Sequence, residues 1–183
     1  MKATSSEKFP DVLTIKLDTH SDERGSFSRK FCQMSIREFG LDFHPKQISH
    51  SHNKKTDTLR GLHFQAPPYD EEKIVSCISG SIFDVVVDIR PSSSTFGDWT
   101  SFILTANENT QLFIPKGFAH GFQTLKDNTV VTYIISKEYN ERYASGIVWS
   151  DEKLKISWPE PNHERIISER DKSFSTFDDL EFN

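Results

Sequence analysis

Seven histidines punctuate the sequence, at His20, His44, His50, His52, His63, His120 and His163. Imidazole is the side chain whose ordinary pKa lies nearest neutrality, which suits it to moving protons or holding a metal. A metal site on a β scaffold asks for a close His-x-His pair, a carboxylate soon after it, and another imidazole on a later strand. His50-Ser51-His52 has the first spacing, but the next carboxylate is Asp57 and HSHNKKTD reads as a polar loop. No metal ligand is assigned on this basis. His63 and His120 have richer surroundings. LRGLHFQ (59–65) gathers Arg60, His63 and Gln65 around Gly61. On a strand, Gly61, His63 and Gln65 share one face and Leu62 and Phe64 the other. A lone histidine is ordinarily a satisfied core or surface residue; on the face of a strand in a β domain it also fits the mouth of a pocket. In GFAHGF (117–122) Gly117 and Gly121 bracket His120, which lets backbone come close to something bulky, or simply marks a turn with a bulge. Lys73 and Arg24, the latter in DERGSF beside the turn residue Gly25, add positive charge. Taken singly, each is an ordinary solvated cation.

The elements that must position these groups read as β. SIFDVVVDIR (81–90) alternates, with Phe83, Val85, Val87 and Ile89 pointing one way and Asp84, Val86, Asp88 and Arg90 the other. That is the period of a strand whose two faces meet different environments. IVSCIS (74–79), SFILT (101–105), QLFIP (111–115), GFQTL (121–125) and TVVTYIIS (129–136) are further short β-branched or aromatic runs. Turn chemistry separates them at 79–80, 91–93, 107–109, 115–117 and 127–128. Many short strands at near-regular spacing predict an all-β fold, an antiparallel sandwich or jelly-roll barrel. Helix is scarce, and CQMSIREFG (32–40) with Gly40 as its stop is the best candidate.

A chain of 183 residues is one domain's worth, with a core expected over about 9–171. Residues 1–8 are polar and expected to be loose, and the acidic tail 172–183 with its spaced Phe residues either docks or frays. With 22 basic and 27 acidic residues the net charge is −5, which argues against a nucleic-acid binder working through a basic face. Any anionic ligand then needs a local cluster of Arg and Lys. No apolar run approaches a membrane span, and MKATSSEKF lacks the apolar stretch of a signal peptide. Cys32 and Cys77 lie far apart without metal spacing. A soluble cytoplasmic protein with reduced thiols, binding neither membrane nor nucleic acid, is the expectation.

DERGSFSRKF, TLRGLHFQAPPYDEEKIV, GSIFDVVVDIR, STFGDW, LFIPKGFAHGFQTL, the pair Tyr133 and Tyr139, GIVWSDEKLKISWP and ISERD occur in that order. Together they make nearly all of residues 10–171 resemble the dTDP-4-dehydrorhamnose 3,5-epimerases. The resemblance implies a cupin-like jelly roll, a homodimer, no metal or other cofactor, and a nucleotide-diphosphate-sugar substrate. Inversion at C3 and C5 of a 4-keto-6-deoxyhexose requires removing a proton beside a ketone, so a base and a stabiliser of the enolate oxygen are both needed. By the resemblance His63 is the base and Asp171 the carboxylate that orients it. Lys73 is the cation at the enolate oxygen, and Tyr133 the acid on the opposite face of the ring. It likewise implies that His120 and Gln47 line the sugar pocket. Arg24, Arg60 and Arg170 attend the diphosphate, and Tyr139 and Phe27 form aromatic walls of the cleft.

Two positions depart from the family pattern. Arg29 stands where the family usually has Glu on the nucleotide side, and Ser49 follows Gln47-Ile48 where it usually has Asn. The loop between Ser49 and LRGLH is also about one residue longer, and APPYDEE (66–72) differs in detail. These departures motivate an alternative reading, a mono-epimerase or related 4-keto-sugar isomerase acting on another nucleotide-linked deoxysugar such as a CDP-sugar. A third, non-enzymatic reading is a cupin that binds without catalysis; the retention of all four chemical groups speaks against it.

Overall fold

The structure is a computed structural model that describes residues 1–180. The chain begins with β1 (Lys2–Ser5), β2 (Leu13–Lys16) and a hairpin of β3 (Thr19–Asp22) and β4 (Gly25–Ser28). A short helix α1 (Gln33–Glu38) leads into β5 (Gln47–Asn53), β6 (Leu59–Gln65), β7 (Lys73–Ser79) and β8 (Ser81–Asp88). β9 (Trp99–Thr105), β10 (Thr110–Ile114), β11 (Phe118–Thr124), β12 (Thr129–Ile135) and β13 (Ala144–Gly146) follow, and α2 (Glu169–Lys172) lies near the end. Among the described residues the strands form a six-stranded sheet in the order β1-β2-β10-β7-β12-β5 and a five-stranded sheet in the order β13-β6-β11-β8-β9. Every pairing of these strands is antiparallel. The two sheets stack as a jelly-roll sandwich, the all-β architecture expected from the strand spacing. Among the described residues no helix is long and apolar enough to cross a membrane.

Both sheets are covered on both faces, and this explains why the strands carry apolar residues on each side. Between the sheets, Val75, Leu112, Ile114 and Val131 of the first meet Ile82, Val86, Leu104 and Phe122 of the second. On the outer face of the second sheet, Val85, Val87 and Ile89 pack under Leu154, Trp158 and Phe177 from the C-terminal segment. On the outer face of the first, Ile74, Phe113 and Ile134 pack under Ile36 of α1 and Phe43. The alternation read in 81–90 is therefore a division between two apolar clusters, and Asp84 and Asp88 are buried carboxylates on the inward side, both at 0% exposure. The helix expected at 32–40 is present as α1, ended at Gly40 with φ +78°.

Two local expectations are corrected, and an alternative left open at the tail is decided. Residues 1–8 are not loose: β1 pairs with β2 from Lys2↔Lys16 to Ser5↔Leu13. A polar sequence such as KATS shows no period, but the backbone of β2 offers it a ladder, and Ala3 packs against the cluster around Ile15. HSHNKKTD is not a loop throughout, since His50 to Asn53 belong to β5, held by β12 through His50↔Thr132 and His52↔Val130. Both imidazoles are exposed on this edge strand. The tail docks rather than frays: Ile147 bridges Ser175, and Phe177 is buried at 2% exposure with its N–H donating to Asp151 Oδ2 at 2.7 Å. Residues 181–183 of that tail lie outside the described residues.

Candidate active site

β6 and β11 run side by side with His63 directly opposite His120. Two glycines let these strands close on each other. A Cβ at Gly61 would stand 2.7 Å from Gly121 Cα and 2.7 Å from the His120 carbonyl oxygen, and one at Gly121 would stand 2.7 Å from the Arg60 carbonyl oxygen. The ladder shifts register between His120 and Phe122 at this pinch. Of the two glycines that bracket His120, Gly121 thus marks a close approach of two backbones, while Gly117 with φ +77° is a turn residue against the Arg90 side chain.

The imidazoles open into a cavity of about 260 Å³ between the sheets. Arg60, His63, His120 and Phe122 line it from the second sheet, and Ser51, Lys73, Tyr133 and Ile135 from the first. Base and acid candidates therefore stand on opposite walls, with Lys73 one strand over from Tyr133 and opposite Ile135 in the ladder. A second recess of about 240 Å³, lined by Phe64, Glu71, Arg90 and Phe118 among others, has no imidazole in its wall.

Asp171 comes from α2, whose first turn is capped by Ser168: the Asp171 N–H donates to Ser168 Oγ at 3.1 Å. Its Oδ1 lies 3.0 Å from His63 Nε2, and its Oδ2 accepts the Gly61 N–H at 2.9 Å. Burial acts to raise its pKa, but the hydrogen bonds from His63 and Gly61 outweigh burial and hold the carboxyl below the ordinary carboxylate value. An ionised acceptor at Nε2 assigns the ring proton to that nitrogen and leaves the lone pair on Nδ1. The His63 side chain is 42% exposed and that of Asp171 8%, so the imidazole meets the open side while its carboxylate is covered.

His120 forms a second pair, its Nε2 2.8 Å from Asp84 Oδ2, with side-chain exposures of 5% and 0%. Desolvation pushes the Asp84 carboxyl up, opposed by the charge and hydrogen bond of His120. Asp84 Oδ1 has no hydrogen-bond partner among the described residues. The His120 ring lies edge-on to Tyr133 with centroids 6.1 Å apart. Burial of the phenol, and next the nearby charge of Asp84, raise the Tyr133 pKa well above that of a free tyrosine. The hydroxyl is therefore a protonated donor throughout the neutral range. Lys73 is held by Glu71, Nζ to Oε1 at 2.8 Å, and Glu71 Oε2 accepts from Gln65 Nε2 at 2.8 Å. Arg60 donates from Nε to Asn53 Oδ1 at 2.7 Å.

Of the residues singled out in the sequence, His63, Lys73, Tyr133, Arg60, His120 and Asp171 converge here. The others do not line the cavity within one chain. Gln47 and Ser49 sit further along the face of β5 that carries Ser51, Ser49 opposite Tyr133 in the ladder. Tyr139 is 55% exposed, its N–H donating to Gln47 Oε1 at 3.4 Å. Arg170 is exposed on α2. Arg24 and Phe27 lie on the exposed β3–β4 hairpin, where Arg24 pairs with Asp22 and Phe27 is 67% exposed, and Arg29 follows them on the surface. Sequence reasoning missed Asp84, Glu71 and Ser51. The alternation in 81–90 put Asp84 on the strand face opposite Phe83 and Val85 without saying which face is inward; Glu71 and Ser51 carried no such signal.

The sequence matches the dTDP-4-dehydrorhamnose 3,5-epimerase family over residues 6–179. A relative in Shigella flexneri named dTDP-4-dehydrorhamnose 3,5-epimerase is 39% identical over 176 residues, 96% of each chain. The crystal structure of a dTDP-6-deoxy-D-glucose-3,5-epimerase from Legionella pneumophila in complex with dTDP-4-keto-L-rhamnose superimposes with a TM-score of 0.92 at 31% identity, covering 98% of this chain and 94% of the other. A 3'-monoepimerase from Streptomyces bikiniensis in complex with dTDP-quinovose gives a TM-score of 0.88 at 29% identity, covering 96% and 88%. The ordered motifs, the jelly roll and the match across nearly the whole chain lead to one assignment: the chain belongs to the dTDP-4-dehydrorhamnose 3,5-epimerase family.

Proposed function

We propose that the protein inverts C3 and C5 of dTDP-4-dehydro-6-deoxy-D-glucose, giving dTDP-4-dehydro-L-rhamnose. The observation that carries this is the placing of an Asp-oriented imidazole and a protonated phenol on opposite walls of one cavity. Inversion needs a proton removed from one face of a carbon and returned to the other, and that arrangement meets the need. His63 Nδ1 takes the proton beside the ketone, and the C–H electron pair moves into an enolate. The Lys73 ammonium stabilises the charge gathering on the carbonyl oxygen, which is the largest obstacle to the step. The Tyr133 hydroxyl then protonates the same carbon from the far side, and solvent resets both groups. Asp171 keeps His63 in the tautomer that can accept, as the carboxylate does in a Ser-His-Asp triad. Arg60 supplies positive charge for the diphosphate at the cavity mouth, and His120 contacts the sugar.

We further propose a homodimer in which the β3–β4 hairpin serves the partner's cavity. Arg24 and Phe27 suit a diphosphate and a nucleobase in type, yet they stand off the cavity of their own chain. Mixing an Arg24→Ala chain with a His63→Asn chain then restores up to about a quarter of the activity through hybrid dimers; no restoration at full mixing overturns the exchange. The activity is tested by incubating the protein with the 4-keto sugar in D2O. Deuterium at both C3 and C5 is expected, and unlabelled sugar with folded protein overturns the reading. The likeness to a 3'-monoepimerase supports one alternative, inversion at a single carbon, and label confined to one position selects it.

A further inference from the structure

Gly146 of β13 stands directly opposite His63 of β6, so a side chain there would be the cross-strand neighbour of the imidazole. There is none, and the space is filled from the C-terminal segment. A Cβ built at Gly146 would lie 2.5 Å from carbons of the Phe174 ring. That ring meets His63 edge-on, with centroids 5.6 Å apart and planes at 80°. The Arg170 guanidinium lies over the same ring, 5.8 Å from its centroid. Phe174 is fixed from both directions along the chain. Asp171 is tied to His63 and Gly61 before it, and after it Ser175 accepts the Val148 N–H at 3.0 Å and Phe177 is buried. Asp171 lies in α2 and Phe174 two residues beyond its last residue, and both reach the His63 ring. One short segment thus presents two different contacts to one ring.

We propose that Phe174 is a positioning residue for proton transfer, setting the plane of the His63 ring while Asp171 sets its tautomer. This rests on the reading of His63 as the base. A hydrogen bond at Nε2 leaves the imidazole able to pivot about that contact, which swings Nδ1 across the cavity. An edge-to-face aromatic contact in the slot left by Gly146 removes that freedom, because the ring cannot turn without colliding with Phe174. Aligning the lone pair with a C–H bond is an orientational requirement, and small misplacements are costly in rate but not in binding.

The experiment compares Phe174→Ala and Phe174→Leu in the full chain, with steady-state kinetics and 15N NMR of labelled histidine. For Phe174→Ala we expect kcat to fall about 10- to 100-fold with KM nearly unchanged, the pattern of a lost orientation. The His63 signal should keep the Nε2–H tautomer, since Asp171 is untouched. Phe174→Leu, which refills the slot, should recover most of the rate. Unchanged kcat in Phe174→Ala overturns the proposal. So does loss of the tautomer signal together with the rate, which makes Phe174 an anchor for Asp171 instead. A His63→Asn control separates the two readings: if it still exchanges deuterium, the base assignment fails, whatever Phe174 does.

Discussion

The cavity contains two His–Asp pairs of nearly equal length, 3.0 Å at His63–Asp171 and 2.8 Å at His120–Asp84. They differ in everything around that bond. His63 is almost half open, and both oxygens of its carboxylate are engaged, one by His63 and the other by the Gly61 N–H, so Asp171 stays ionised. His120 is sealed, and among the described residues Asp84 has one hydrogen-bond partner and an unpartnered oxygen, with a pKa driven upward by burial. In the proposed mechanism the first pair exchanges a proton with the sugar that enters, and the second contacts that sugar without exchanging one. Burial of the phenol and the nearby charge of Asp84 help hold Tyr133 protonated. The proposal thus gives the same two side-chain types different roles because their desolvation and partner count differ.

The contrast is most directly broken by exchanging the pairs' fates. His63→Asn should reduce deuterium incorporation by about 1,000-fold, within the range for losing a general base. If His120→Asn proves the more damaging, the roles are reversed. Asp171→Asn should cost about 100-fold or more, mostly in kcat, by turning the ring to the wrong tautomer, as in the triad enzymes. A loss confined to KM would show that Asp171 acts on binding. Tyr133→Phe should still wash deuterium into the starting sugar while net inversion falls about 100-fold; normal inversion would put the donor elsewhere. The smallest effect concerns stability and sharpens the comparison within β8. Asp88 shares the inward face with Asp84, and burial pushes its pKa up as well. There, hydrogen bonds from Arg90, Ser93 and Thr95 overcome burial and bring it down to about 2. A folded-state pKa below the unfolded one stabilises above about pH 4, and the contribution disappears as pH falls towards 2. Asp88→Asn should therefore cost about 2 kcal/mol at neutral pH, and its deficit against the parent should shrink in acid. Asp84→Asn should cost less, because that carboxylate is poorly satisfied to begin with. Urea titrations at pH 7 and pH 3 measure both.

The sandwich was legible because buried strands must alternate or run apolar, and 81–90 and 129–136 do so plainly. Two edge elements were not. β1 and β5 carry polar residues on exposed strands, and they are strands because β2 and β12 offer hydrogen bonds, a tertiary fact that periodicity does not record. His63 stood out by composition, but its link to Asp171, 108 positions away in sequence, came only with the family resemblance. Asp84 was placed on one strand face by the alternation, but both faces of 81–90 carry valine, so only the packed sheets show that its face is the inner one. Glu71 was hidden in the acidic run before Lys73, where a solvated charge is the ordinary reading; it proves to be the ammonium's clasp. Arg24 and Phe27 mark the remaining boundary: their types fit a nucleotide, and a single chain gives them nothing to bind.

The docking of α2 and Phe174 has a consequence for synthesis. Both sheets are complete once Gly146 has formed its pairs, yet the imidazole acquires its carboxylate and its aromatic brace only when residues 171–174 emerge. On the proposed mechanism a nascent chain pairs all its strands before its base is armed, and the segment that arms it also finishes, through Phe177, the cover over the second sheet.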